Sequence, residues 1–270
     1  MDLDGKCVVV TGGSRGIGAE LARQFARAGA SVVVVARPSR ELDGVAEALG
    51  ATAIAADLAT PDGVDGLVER CIGQLGHVDV WVNNAGVETN ESFVGTDRAD
   101  IRRLLRINLE APMLLTHDVV GHMLRRGSGH VVQISSAAGV VPFPGLTAYA
   151  GSKAGLTHFT ESLRLELKGT GVGFTVVAPG FVDTAMLDRL MVDDSFQEPA
   201  LARFRHLRFA PVMPPDLIAS KTVAAVADGK PFVRLPKRYN VYHLLNNAPR
   251  RLVQASLIGV RLKLPSTTGS

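Results

Sequence analysis

Short runs of β-branched and other apolar residues alternate along this chain with longer segments whose apolar positions recur every three to four residues. The runs at 6–11, 31–36, 52–57, 78–83, 130–135 and 172–178 read as strands, and 231–235 as a seventh, edge-like one. Between them, Ile17, Leu21, Phe25 and Ala28 set out one face of a helix over 16–28, which Gly29 ends. Further helices are expected over 38–49, 61–75, 97–107, 109–126, 148–168 and 216–227, with a helical insertion over 184–211. Continuous apolar strands separated by helices imply an α/β fold: a doubly wound parallel sheet of about seven strands, covered on both faces. No internal repeat or linker interrupts the pattern, so a single domain over 1–236 is expected, followed by a helical extension over 237–270.

Composition narrows the class. A chain of 270 residues with 46% hydrophobic and 20% charged residues can bury a sizeable core without a metal or disulfide staple, and it is not disordered. Cys7 and Cys71, each in an apolar stretch, are too few for a disulfide framework or a cysteine zinc site. His117 and His122 are five apart and do not share a helix face, so no metal site is expected. There is no secretory-signal pattern at Met1 and no apolar run long enough for a membrane span, which makes cytoplasmic the expected location.

The chemistry gathers at the ends of the strands. The first strand runs into Thr11-Gly12-Gly13-Ser14-Arg15-Gly16-Ile17-Gly18, and a helix follows. Glycines at such a turn let backbone approach a diphosphate, and the helix start offers free N–H groups and partial positive charge. Asn83-Asn84-Ala85-Gly86 closes the fourth strand, Ser136 lies 13 residues before Tyr149, and Tyr149-x-x-x-Lys153 falls on one helix face. Asn108 precedes them, and Pro179-Gly180-Phe181-Val182-Asp183-Thr184 follows the sixth strand. In this order and spacing, over about residues 4–235, the chain resembles the short-chain dehydrogenase/reductase family.

The resemblance implies a Rossmann-type fold and an NAD(P)-dependent oxidoreductase acting on CH–OH and C=O groups. Tyr149 would be the general acid/base, Lys153 would hold the nicotinamide ribose and tune Tyr149, Ser136 would polarise the substrate carbonyl, and Asn108 would support a proton relay. An ammonium near a phenol lowers its pKa from the usual ~10, so the pairing makes chemical sense. Ser135 is the neighbouring alternative to Ser136, and the spacing favours Ser136. Gly12, Ser14, Arg15, Gly16, Ile17, Gly18, Asn84, Ala85, Gly86, Pro179, Gly180, Val182 and Thr184 would join Tyr149 and Lys153 in binding the cofactor, with Asp57 and Leu58 at the adenine. The second strand ends in Val35-Ala36-Arg37-Pro38, without the acid that binds a ribose 2′-OH. Arg37 and Arg15 could instead face a 2′-phosphate, which favours NADP, with NAD as the alternative.

Phe181, Met186, Leu187, Leu190, Met191, Phe196, Leu201, Phe204, Leu207, Phe209 and Met213 give the 181–214 segment an apolar, adaptable character. Val140, Val141, Phe143 and Pro144 add to it, so a small hydrophobic ketone or secondary alcohol, steroid-, retinoid- or lipid-like, is the expected substrate. A catalytically silent dinucleotide-binding protein on the same fold is the rival reading. The formal net charge of +3 conceals an asymmetry: eight basic residues and no acid after Asp228, against a net −5 before. Two apolar helices, 239–246 and 249–262, are expected in this basic stretch, which would serve either as a cover over the site or subunit interface or as a peripheral membrane element. Nucleic acid is not an expected partner, because no aromatic residues interleave the charge. Family analogy implies a homodimer or homotetramer built on the helices near 109–126 and 148–168.

Overall fold

The computed structural model describes residues 1–190, 198–206 and 211–237, together with Leu252, Ala255 and Ser256. Seven strands form one sheet: β1 (Cys7–Thr11), β2 (Ser31–Ala36), β3 (Thr52–Ala55), β4 (Val80–Asn83), β5 (Gly129–Ile134), β6 (Val172–Pro179) and β7 (Phe232–Leu235). Their order is β3-β2-β1-β4-β5-β6-β7, and every pair is parallel. The chain winds outward from β1 to β3, then crosses to β4 on the other side of β1. That reversal opens a crevice beyond the carboxyl ends of β1 and β4.

Alternation along the strands feeds two cores. Val8, Val10, Val80 and Val82 meet Leu21 and Phe25 of α1 (Gly16–Arg27), Leu42 of α2 (Arg40–Leu49) and Ile218 of α10 (Pro215–Ala227). On the opposite face, Val9, Trp81 and Val131 meet Leu67 and Cys71 of α4 (Leu67–Leu75) and Leu115, Val119 and Met123 of α6 (Ala111–Arg126). A third cluster lies over the crevice. It joins Leu104 of α5 (Arg98–Leu105), Tyr149 of α7 (Thr147–Glu166), Leu187 and Leu190 of α8 (Ala185–Leu190) and Leu201 and Phe204 of α9 (Glu198–His206).

Three elements differ from the pattern expected. The helix over 61–75 is split into α3 (Pro61–Val64), capped by the Thr60 hydroxyl, and α4, because Gly66 takes a left-handed φ of 67° between them. The third strand stops at Ala55: Asp57 turns the chain, its Oδ1 accepting from Ala59 N–H and its carbonyl from Thr60 N–H. The two helices expected on either side of Asn108 are continuous, joined by a π-helical turn over Arg106–Glu110. Of the insertion, residues 191–197 and 207–210, with Met191, Phe196, Leu207 and Phe209, lie outside the described residues. So do the helices expected over 239–246 and 249–262, apart from Leu252, Ala255 and Ser256, which are helical.

Candidate active site

The crevice is a cleft of about 930 Å³. Gly12, Ser14, Arg15, Gly16, Ile17, Gly18, Arg37, Asp57, Leu58, Asn84, Ala85, Gly86, Ser136, Tyr149, Lys153, Pro179, Gly180, Val182 and Thr184 all line it. Of the site residues singled out from the sequence, Asn108 alone does not; it is fully buried behind the wall.

The glycine turn is shaped by close approach. Gly12 sits at φ 65° against Ala85, and a Cβ on Gly18 would stand 2.1 Å from the Gly12 carbonyl oxygen. The loop after β4 braces the turn: Asn84 Nδ2 donates to the carbonyls of Thr11 (2.9 Å) and Gly12 (3.1 Å). The Thr11 hydroxyl donates to Val82 O and accepts from the N–H groups of Asn84 and Ala85. Arg15, in extended conformation, opens α1 without a side-chain cap, so the first-turn N–H groups remain free for an anion. Free N–H groups over a floor without Cβ atoms fit the diphosphate of a dinucleotide. At the far end of this half, Arg15 and Arg37 line the cleft beside Glu41. The α2 backbone N–H, then Ser39, then Arg15 hold the Glu41 carboxyl below the usual carboxylate range.

The middle of the cleft holds Tyr149 and Lys153, one helical turn apart on α7 and both buried. Lys153 Nζ donates to Ile134 O at 2.8 Å and lies 5.8 Å from the centre of the Tyr149 ring. Burial decides both ionisations. It pushes Tyr149 up to about 12, against the Ser136 hydroxyl, which favours the phenolate; the Glu88 carboxylate adds to the upward push. It brings Lys153 down to about 8. This overturns the lowering expected from the Lys153 ammonium: burial dominates, and the phenol holds its proton at neutral pH in this setting, as a group that donates to a carbonyl oxygen must.

The two serines have separate surroundings. Ser135, buried at the end of β5, is bonded to Lys153 O (3.0 Å) and Thr157 Oγ1 (2.7 Å) and ties the strand to α7. Ser136 caps the following short 3₁₀ turn and faces Tyr149. Asn108 sits in the π turn and bonds to the β4 loop. It accepts from Val87 N–H (2.9 Å) and donates to Val87 O (2.8 Å) and Ser152 Oγ (3.2 Å). Ser152 in turn donates to Tyr149 O. Asn108 thus holds the β4 loop and α7 in register.

Val141, Phe143, Leu146, Phe181, Leu187, Leu190, Phe204 and Leu252 wall the remaining end. Phe143 packs edge-on against Phe181 at 6.0 Å and beside Phe204 at 5.3 Å. Sequence reading missed Glu88 and Arg189, which pair across this end. An acid so soon after Asn-Asn-Ala-Gly was the available signal for Glu88.

At the opposite end of the sheet, Cys7, His77 and Asp79 bring potential ligand atoms within 4.8 Å of one another. Those atoms already have partners. Arg126 Nη2 donates to Asp79 Oδ1 (3.1 Å), and Cys7 N–H donates to Oδ2, which His77 Nε2 also contacts. Among the described residues, no helix is long and apolar enough to cross a membrane.

A family model described as short chain dehydrogenase matches residues 6–194. The chain belongs to this family of oxidoreductases, whose Rossmann-type fold binds a nicotinamide dinucleotide. It is 38% identical over 205 residues to the ketoacyl reductase HetN of Nostoc sp., covering 74% of this chain and 70% of that protein. It is 32% identical over 254 residues to an 11-beta-hydroxysteroid dehydrogenase of Pinus massoniana, covering 90% of this chain and 70% of that one. Among solved structures, a 7 alpha-hydroxysteroid dehydrogenase complexed with NADH and 7-oxo glycochenodeoxycholic acid superposes with a TM-score of 0.76 at 29% identity. That match covers 86% of this chain and 93% of the other.

Proposed function

We propose that the chain is an NADP-preferring oxidoreductase that interconverts a hydrophobic ketone and its secondary alcohol. The observation that carries this reading is the buried Tyr149–Lys153 pair, with Ser136 facing it, at the junction of a glycine-turn half and an apolar half of one cleft. Hydride exchange at the carbonyl carbon is the chemistry a bound nicotinamide supplies. The chain's own part is to hold and move the proton. Tyr149 Oη gives it to the substrate oxygen in reduction and takes it back in oxidation, while Ser136 Oγ donates a hydrogen bond to that same oxygen. Lys153, fixed on Ile134 O, holds a ribose hydroxyl and keeps positive charge close to Tyr149. Asn108 acts as a positioning residue through Val87 and Ser152.

Arg15 and Arg37 at the ribose end, with Ala36 in place of an acid at the end of β2, support NADP over NAD. The aromatic and aliphatic wall supports a steroid-, retinoid- or lipid-like substrate. Exposed Met113, Leu114 and Leu124 on α6 and Leu165 on α7 support burial of these helices against a second copy of the chain. The test is turnover of a panel of apolar ketones and secondary alcohols with each nicotinamide cofactor, followed by the absorbance of the reduced ring. NADPH-dependent reduction of bulky apolar ketones is expected; no turnover of any member would overturn the reading.

A further inference from the structure

Arg189 lines the substrate end of the cleft from α8, between Leu187 and Leu190, which are buried in the apolar cluster there. Its guanidinium is held by one edge. Nε donates to Glu88 Oε1 at 2.8 Å, and Nη2 lies 2.7 Å from the same oxygen. Only 3% of the Glu88 side chain is exposed, whereas 50% of the Arg189 side chain is. The exposed half is therefore the edge turned away from Glu88, formed by Nη1 and the outer N–H of Nη2. A guanidinium carries five N–H donors in a rigid plane, and Glu88 engages those of one side only. Among the described residues, the outer edge has no hydrogen-bond partner. Glu88 thus fixes a cation at the rim of an otherwise apolar wall with a two-pronged set of donors unspent.

We propose that Arg189 is a specificity-determining residue: its outer edge donates to both oxygens of a carboxylate that the substrate carries away from its reacting carbonyl. This rests on the carbonyl–alcohol chemistry proposed above and deepens it. The substrate is then an amphipathic keto or hydroxy acid, with its carbonyl at Tyr149, its apolar body along Phe143, Phe181 and Leu187, and its carboxylate at the rim. A planar carboxylate matches the planar fork with two parallel N–H···O bonds. At the half-exposed rim the anion keeps part of its hydration, which spares it the cost of full burial. Glu88 already offsets part of the Arg189 charge, so a monoanion suits the place better than a phosphate dianion. Two chain segments that supply wall residues carry basic charge alone. The stretch 199–215, with Phe204 in the wall, holds Arg203, Arg205 and Arg208 and no acid. The chain after Asp228, with Leu252 in the wall, holds eight basic residues and no acid. Charge of one sign beside a cleft raises the local concentration of ligands of the other sign.

The experiment compares linear methyl ketones that end in a carboxylate with their methyl esters, over spacers of increasing length, using the full chain and NADPH. For the wild type, at least one keto acid should exceed its ester by ~10-fold or more in kcat/KM, the scale of hydrogen bonds between charged groups. Arg189→Met should bring that ratio close to one; Arg189→Gln, which keeps a polar side chain on α8, repeats the test and should do the same. An Arg189 that only ties α8 to the β4 loop predicts otherwise: both variants raise KM for acids and esters alike and leave the ratio at its wild-type value. That result overturns the proposal. So does a wild type that prefers no acid over its ester at any length, or an acid preference that survives in Arg189→Met because Arg103 or the basic extension carries it. If no ketone is turned over, the reaction proposed above fails separately, and calorimetric binding of the same acids and esters to the NADP-loaded proteins reads the preference. Tighter binding of an acid that Arg189→Met abolishes supports the proposal, and equal affinities for acid and ester overturn it.

Discussion

Replacing Gly18 by alanine adds one methyl group at a place where the backbone has left no room. The new Cβ would lie 2.1 Å from Gly12 O, 2.8 Å from Gly12 C and 2.4 Å from Asn84 Nδ2. Gly44, also inside a helix, offers the contrast: a Cβ there meets nothing within 4 Å. Helix propensity alone predicts that both changes stabilise, by roughly 0.5–1 kcal/mol each. Gly44→Ala should do so. Gly18→Ala must push the Gly12 carbonyl and the Asn84 amide apart, and overpacking of this kind costs about 1–3 kcal/mol. The two variants should therefore fall on opposite sides of the wild type in urea unfolding, separated by about 2–4 kcal/mol. The displaced carbonyl belongs to the turn proposed to cradle the diphosphate. Fluorescence titration with NADPH should accordingly show affinity weakened by ~10-fold or more for Gly18→Ala, the penalty expected of a site moved by about 1 Å, and unchanged for Gly44→Ala. A Gly18→Ala protein as stable as Gly44→Ala, with undiminished affinity for NADPH, would refute the close-packed turn and its link to the cofactor.

Arg37→Ala removes an exposed cation from the ribose end of the cleft and should lower the NADP-to-NAD affinity ratio ~10- to 100-fold, measured by parallel titrations; equal losses for both cofactors would make Arg37 structural. His130 is buried against Thr175 Oγ1 and held neutral by burial, its pKa down to about 4 from 6.5. Unfolding frees it to take up a proton, so stability should fall by about 3 kcal/mol as pH drops from ~6.5 to ~4; His130→Gln should flatten that part of the urea-unfolding profile, and an unaltered slope would contradict it. Deleting residues 239–270 should raise KM for bulky ketones more than for small ones, because Leu252 lines the cleft. Salt-sensitive binding of the intact chain to anionic vesicles, abolished by the deletion while KM stays constant, would instead assign the extension to a membrane surface.

The parts of the site legible in the sequence are those fixed by short-range geometry. Tyr149 and Lys153 lie four positions apart, so their shared face follows from the period of the helix. The glycine turn announces itself because glycine takes a φ such as the 65° of Gly12 at least cost and leaves room for the close approach of Ala85. What stayed hidden depends on contacts between distant segments. The π turn at Asn108 is paid for by bonds to Val87, 21 residues away, and no local pattern distinguishes it from a break between two helices. The Glu88–Arg189 pair joins residues 101 apart in sequence. Ser135 and Ser136 are adjacent and chemically identical; Thr157 and the Lys153 carbonyl, one strand-to-helix connection away, claim the first and leave the second to the cleft. The early end of β3 reflects the side chain of Asp57 competing for backbone N–H groups, an outcome the apolar run over 52–56 gave no hint of.

The central claim is that Tyr149 carries the proton in a ketone–alcohol interconversion, and Tyr149→Phe tests it most directly. The ring, its packing among Phe143, Leu146 and Leu187, and the neighbouring Lys153 are retained, while the phenolic proton is lost. Single-turnover reduction of an apolar ketone by the NADPH-loaded protein at neutral pH should slow by ~100-fold or more, the usual contribution of a positioned acid, with NADPH affinity unchanged. A Tyr149→Phe protein that binds NADPH normally and keeps most of the wild-type rate would contradict the account.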